Sequence, residues 1–219
     1  MLQDICRAEN VLTGFKWIAL KMDDYDKTEK GKFIFGGEES YGYLPVEFVR
    51  DKDAISSCYF FVEMADWLRD KNSNLNEFLN EIYIQFGLYI EDLHSLTLKG
   101  KEGMEKIKLI MDKFRNNPPK CFADIEVERI SDVHRLKTTD IETGKEEIID
   151  DLPKSNVLQF FLRDKTKITM RPSGTEPKIK FYFSVNQKVD KNNLNSVKTE
   201  LNEKIESLKN ELLDMVNTV

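Results

Sequence analysis

Lys167-Ile168-Thr169-Met170-Arg171-Pro172-Ser173-Gly174-Thr175-Glu176-Pro177-Lys178-Ile179-Lys180-Phe181-Tyr182-Phe183-Ser184-Val185 carries a fold signal and a chemical signal in one stretch. Lys167 to Met170 reads as a strand, with Val157 to Leu162 as its hairpin partner across Asp164-Lys165. Beyond the central loop, Ile179, Phe181, Phe183 and Val185 recur at every second position and share one strand face. Lys178, Lys180 and Tyr182 are thereby left together on the other. Between the strands, an arginine is followed by two hydroxyl residues around a glycine. Arginine offers a planar fork of donors suited to phosphate oxygens. Ser173 and Thr175 add neutral donors, and Gly174 lets backbone N–H groups come close to a ligand. No G-x-x-x-x-G-K-[ST] pattern is present, so the loop suits holding a phosphate ester and not splitting a nucleotide. The same residues also suit an ordinary turn with solvated charges, and the loop alone does not separate the two.

Working outward, 219 residues make one large domain or two small ones, and 40% hydrophobic with 33% charged residues describes a soluble globular chain. The net charge of −6 argues against a nucleic-acid partner, whose affinity rests on neutralising phosphates. A small anion still finds positive charge around Arg171. Cys6, Cys58 and Cys121 lie far apart with no C-x-x-C pair, which favours a reducing, cytoplasmic setting. Asp4 near the N-terminus and the lack of an apolar run of signal length argue against a secretion signal, and no run reaches membrane-spanning length, so no membrane partner is expected.

The expected fold class is an α/β partial domain over residues 1–87 followed by an α+β domain over 88–219, an antiparallel sheet flanked by helices. In the first part Lys32-Phe33-Ile34-Phe35 reads as a short strand ending at Gly36-Gly37. Ala54 to Leu68 is apolar around most of its circumference, as in a helix buried against a sheet. Asn74 with Glu77 resembles a helix-opening cap; Leu75, Phe78, Leu79, Ile82 and Phe86 form an expected buried stripe, and Gly87 stops it. In the second part Leu88 to Leu98 reads as a strand, and Met104, Ile107, Met111 and Phe114 mark a helix ending before Pro118-Pro119. Ala123, Ile125 and Val127 alternate in a half-exposed strand, and Thr143-Gly144 turns within a polar excursion. Leu194, Val197, Leu201, Ile205, Leu208 and Leu212 mark a last helix packed on its own sheet in preference to a coiled coil.

A second loop, Gly36-Gly37-Glu38-Glu39-Ser40-Tyr41-Gly42, places adjacent acids in a glycine-rich turn at a strand end. Such acids accept hydrogen bonds from sugar hydroxyls, with Ser40 as a further donor or acceptor; a solvated acidic turn is the plainer alternative. Asp24, Asp26 and Thr28 start a calcium-type pattern that Glu29 breaks where a glycine is needed.

Taken together and in this order, Thr13-Gly14-Phe15-Lys16, Gly37-Glu38-Glu39-Ser40-Tyr41-Gly42, Arg50-Asp51-Lys52-Asp53 and the Arg171–Lys178 loop resemble the α-D-phosphohexomutases, most of all the phosphoglucomutase and phosphopentomutase group. The likeness covers nearly the whole chain. It implies that Glu38 and Ser40 read sugar hydroxyls and that Thr13 and Gly14 line the sugar site. Lys52 would stand near the reacting oxygen with Arg50 beside it, as catalytic residues. Arg171, Ser173, Gly174 and Thr175, with Lys180 in support, would grip the phosphate that is not being transferred. Lys52 becomes an acid or base if burial and Arg50 lower its pKa; its plainer role is attraction of the sugar phosphate.

Members of this family interconvert hexose 1-phosphate and hexose 6-phosphate through a hexose 1,6-bisphosphate, using a phosphoserine in the first domain and Mg2+ in the second. Neither a Ser-His-Asn-Pro segment nor an Asp-Gly-Asp-x-Asp loop occurs here, so no metal ligand is expected in this chain. The resemblance therefore implies the third and fourth domains: the substrate-recognition half of a mutase, inactive alone, with a hexose or pentose phosphate as small-molecule partner and the N-terminal domains as associates. A noncatalytic phosphosugar-binding or interaction protein is the alternative. The Glu-Glu-Ser form of the sugar loop leans toward glucose.

Overall fold

The computed structural model describes residues 7–219; Asp4, Cys6 and the start of the Leu2–Val11 segment lie outside the described residues. Two compact units divide the chain, Met1–Phe78 and Leu79–Val219.

In the first unit, α1 (Phe15–Thr28) precedes a hairpin of β1 (Gly36–Glu38) and β2 (Gly42–Leu44), followed by α2 (Ala54–Asp70) and the start of α3 (Leu75–Phe86). A small core joins Phe15 and Met22 of α1 to Leu44, with Ile18, Phe33, Val46 and Val49 packed around it. The expected strand at Lys32–Phe35 is not formed: these residues are irregular and the strand begins at Gly36. Phe33 turns into the core while Ile34 and Phe35 stay exposed, and β2 pairs only as far back as Gly36. A strand needs a neighbour to take its backbone hydrogen bonds.

Helix α2 forms where its pattern predicts it. Asp53 caps it by accepting from the N–H groups of Ile55 and Ser56, and the Ser56 side chain, with those N–H groups, holds the Asp53 carboxyl below the usual range. Its expected burial is not found: Ile55 is 84%, Tyr59 62% and Val62 65% exposed, and Leu68 is the buried residue of the helix. Two strands of three residues are too small a sheet to cover five turns of helix. Asn74 caps α3 as expected, its Oδ1 accepting from Asn76 and Glu77. Gly87, at φ +104°, follows its last residue. The expected stripe of α3 is likewise open to solvent at Leu79 and Phe86, although Phe78 meets Trp67 edge to face at 5.6 Å.

The second unit is built on an antiparallel sheet: β3 (Leu88–Thr97), β4 (Cys121–Phe122), β5 (Ile125–Asp132), β6 (Lys137–Asp140), β7 (Glu146–Ile148), β8 (Leu158–Leu162), β9 (Lys167–Pro172) and β10 (Lys178–Gln187). The spatial order is β3-β10-β9-β8-β5-β6-β7, with β4 paired to β5. Two helices, α4 (Gly100–Asn116) and α5 (Leu194–Asn217), cover one face of the sheet. Ile107, Met111 and Phe114 of α4 and seven residues of α5 from Leu194 to Val216 meet Phe160, Ile168, Met170, Phe181 and Phe183 in one core. Met104, expected on that stripe, is exposed. Ala123 is not in a strand: with Asp124 it forms a two-residue turn, both at positive φ, which is the backbone that joins Phe122 to Ile125 in a tight hairpin. The polar excursion folds as the β6–β7 hairpin.

Asp164, in the β8–β9 turn, pairs with Lys204 of α5 and accepts from the Thr166 N–H at 3.0 Å. Burial pushes its pKa up, but the Lys204 ion pair and the Thr166 donors outweigh it and hold the carboxyl below the ordinary value. A depressed carboxyl stabilises the fold above its unfolded value near 3.8 and loses that contribution as pH falls through the folded one. Asp164→Asn is therefore expected to lower the melting temperature at pH 7 and to change little at pH well below 3.8, as thermal melts across that range will read.

Candidate functional site

In the first unit the candidate site is organised by Glu38, at the end of β1. Its Oε1 accepts from the Gly14 N–H at 2.8 Å, and its Oε2 stands 3.7 Å from Lys52 Nζ. The side chain is only 10% exposed. Gly14 is the residue before α1 and has φ +119°, a backbone that a side chain would strain. Lys52 Nζ also lies over the ring of Phe15, 5.4 Å from its centroid. Gly42 makes room for this packing, since a Cβ there would come within 2.9 Å of Lys52 Cδ and 3.4 Å of Glu38 Oε2. The fold thus gathers Gly14, Glu38 and Lys52 from three segments around one carboxylate. A carboxylate has about four acceptor positions, so Glu38 keeps capacity for a ligand hydroxyl.

The remaining predicted residues of this unit stand apart from that carboxylate or at its edge. Thr13 is exposed beside Gly14, and Ser40 is exposed in the three-residue β1–β2 turn, next to Tyr41 at φ +63°. Arg50 is engaged elsewhere: its guanidinium donates to Asp23 at 2.9 Å, to Asp26, and to the Glu47 carbonyl at 2.6 Å. The Asp23 hydrogen bond, ahead of the attraction of Asp26, pushes its pKa up. Arg50 therefore ties its loop to α1. Lys52 is 56% exposed, with the Glu38 carboxylate as its ion-pair partner.

In the second unit the β9–β10 hairpin presents the other loop. Its stem is closed by the Ser173 N–H on the Lys178 carbonyl at 2.7 Å, and its flank is tied by the Leu98 N–H on the Pro177 carbonyl at 2.9 Å. Arg171 and Lys180 are direct cross-strand partners. Like charges placed opposite each other destabilise a sheet unless something neutralises them. Arg171 Nη2 donates to Tyr182 Oη at 2.8 Å, and its Nε is buried with no hydrogen-bond partner. Ser173 Oγ accepts from the Thr175 and Glu176 N–H groups at 3.4 and 3.3 Å. Those two N–H groups consequently face the loop's own hydroxyl, while the Ser173 proton stays available to donate. A Cβ added at Gly174 meets nothing within 4 Å and its φ is not left-handed, so nothing inside the chain requires glycine there. Thr175 is exposed, and Lys180 is half-buried.

A cavity of about 160 Å³ adjoins Ser173, lined also by Lys108, Arg115 and Asn156. The larger groove, about 720 Å³ between β3 and α5, is lined by none of the predicted residues. Among the described residues, no three His, Cys, Asp or Glu side chains converge as metal ligands. Among them, too, no helix is long and apolar enough to cross a membrane. Two participants were not singled out from the sequence, Phe15 under Lys52 and Tyr182 beside Arg171. Both are aromatic residues that also read as packing, and only their cations mark them.

Comparison with known proteins identifies what these units are similar to. Residues 3–86 match the family described as phosphoglucomutase/phosphomannomutase, alpha/beta/alpha domain III. The phosphoglucomutase of Staphylococcus haemolyticus is 40% identical over 178 residues, and that of Staphylococcus aureus 41% over 177. Each alignment covers 81% of this chain but 32% and 31% of the relative, so the chain spans about a third of the length of these curated relatives. The crystal structure of parafusin, an exocytosis-sensitive phosphoprotein and phosphoglucomutase of Paramecium in its open form, superposes with a TM-score of 0.57. It covers 94% of this chain and 33% of the other at 18% identity, a likeness of fold. The chain belongs to the phosphohexomutases and corresponds to a C-terminal part of one. Within that family, the relatives named here are phosphoglucomutases.

Gly14→Ala forces a side chain into left-handed backbone and disturbs the amide that Glu38 accepts from. It is expected to destabilise the first unit by roughly 1–2 kcal/mol, measured by denaturant unfolding followed at Trp17.

Proposed function

We propose that this chain is the substrate-recognition half of a phosphohexomutase, binding a hexose phosphate, with glucose phosphates first. In this reading Glu38 and Ser40 accept and donate to sugar hydroxyls, and Thr13 and Gly14 line the same surface. Lys52 attracts the sugar phosphate. Arg171, Ser173, Thr175 and Lys180 hold the ester that does not react, and Gly174 leaves it room. The convergence of Gly14, Glu38 and Lys52 on a nearly buried carboxylate carries the reading, because a solvated acidic turn has no reason to draw in three segments. The like-charged Arg171–Lys180 pair supports the phosphate role, since a dianion between them removes their repulsion.

Phosphoryl transfer through the bisphosphate needs a phosphoserine and a cation to neutralise developing charge. Both are assigned here to other portions of the enzyme. The exposed apolar side of α2 supports association with such a portion, because a helix this apolar is ordinarily covered. Cys58 and Cys121 as free thiols support a reducing, cytoplasmic setting.

Calorimetric titration with glucose 1-phosphate, glucose 6-phosphate and mannose 1-phosphate tests the reading. Arg171→Ala should cost roughly 1.5–3 kcal/mol of binding to every phosphate ester, the scale of a charge-assisted hydrogen bond. Glu38→Ala should instead shift the preference among sugars and spare inorganic phosphate; equal losses for both would remove Glu38 from hydroxyl recognition. In a coupled mutase assay the chain by itself should show no turnover, and turnover would overturn its assignment as a recognition half.

A further inference from the structure

Tyr182 stands on the open face of the sheet, two residues beyond Lys180 on β10, and pairs directly with Thr169 of β9. Arg171 is therefore its diagonal neighbour, a separation that long side chains span. The guanidinium uses that reach. Nη2 donates to Tyr182 Oη at 2.8 Å, and the guanidinium carbon lies 5.7 Å from the centroid of the tyrosine ring. Arg171 thus lies toward the tyrosine, the diagonal neighbour, and not only opposite the cation it faces in register. Its Nε is buried without a partner, so no hydrogen bond at that nitrogen helps to hold the plane. Lys180 repels it, and Thr169 is occupied by the Gln159 amide at 3.2 Å.

We infer that Tyr182 is the positioning residue of the phosphate loop. Its hydroxyl, by accepting from Nη2, sets the plane of the Arg171 guanidinium and hence the direction in which the other N–H groups meet an anion. A freely rotating guanidinium loses rotamer freedom when it binds, and one already held loses less, so the hydroxyl contributes to affinity without touching the ligand. This rests on the phosphate reading of the loop given above.

Two readouts on the full chain test it. In ¹⁵N spectra of arginine side chains, with the Arg171 signals identified by their loss in Arg171→Lys, the wild-type Nη protons should show hindered rotation that Tyr182→Phe releases. In parallel, Tyr182→Phe should weaken binding of glucose 6-phosphate and of inorganic phosphate by roughly two- to tenfold, the range of one neutral hydrogen bond, with the melting temperature unchanged. In an Arg171→Ala background the same substitution should do nothing further, because the two residues act as one unit. Arg171 signals identical in wild type and Tyr182→Phe overturn the inference, as does released rotation with unaltered affinity or an additive double mutant. If the wild-type chain binds neither ligand, the phosphate reading itself falls and takes this inference with it.

Discussion

The two-residue alternation of β10 is the constraint on which the second unit depends. Ile179, Phe181, Phe183 and Val185 are buried beneath α4 and α5, and this burial compels Lys178, Lys180 and Tyr182 to the opposite face. A slip of one residue would put lysines into the core, so the register is held by the apolar side and the cationic side inherits it. The Arg171–Lys178 loop therefore rests on the least negotiable part of the fold. Arg171 faces Lys180 because Met170 faces Phe181 in the core.

The first unit is organised differently. Its core is small, and what draws its segments together is a polar node: one carboxylate, one backbone amide and one ammonium. Burying Glu38 is tolerable only because its oxygens are met by donors, and the close packing of Gly42 and Phe15 supports Lys52 in that place. A unit with this balance, carrying exposed apolar residues along α2, is suited to gaining stability from a covering partner.

Much of this was legible from local pattern. The strands of the β8–β9–β10 meander, the caps at Asn74 and Gly87, and helices α2, α4 and α5 all follow from periodicity and turn chemistry, which act between near neighbours. The failures share a cause. Lys32–Phe35 has the composition of a strand and α2 the pattern of a buried helix, yet strand pairing and burial each require a second element to be present. Ala123 was misread because an alternating apolar position cannot be told from a tight turn until its partner strand is known. In the candidate site, the residue types of the loops are plain in the sequence, while the partners of Arg50 are not: they are carboxylates on α1, far back in the chain.

Sequence alone determined which residue types occupy the two loops, which side of β10 is apolar, and where α2 and α3 begin, because periodicity and capping are decided within a few residues. Tertiary structure alone decided that Glu38 joins Gly14 to Lys52, that Arg50 ties a loop to α1, and that the Arg171 guanidinium lies against Tyr182. Those partners are separated in sequence by 24, 27 and 11 residues for Gly14–Glu38, Arg50–Asp23 and Arg171–Tyr182. The direction of a long charged side chain is chosen by whichever donor or acceptor the fold brings within about 3 Å of it, and local pattern does not encode that meeting.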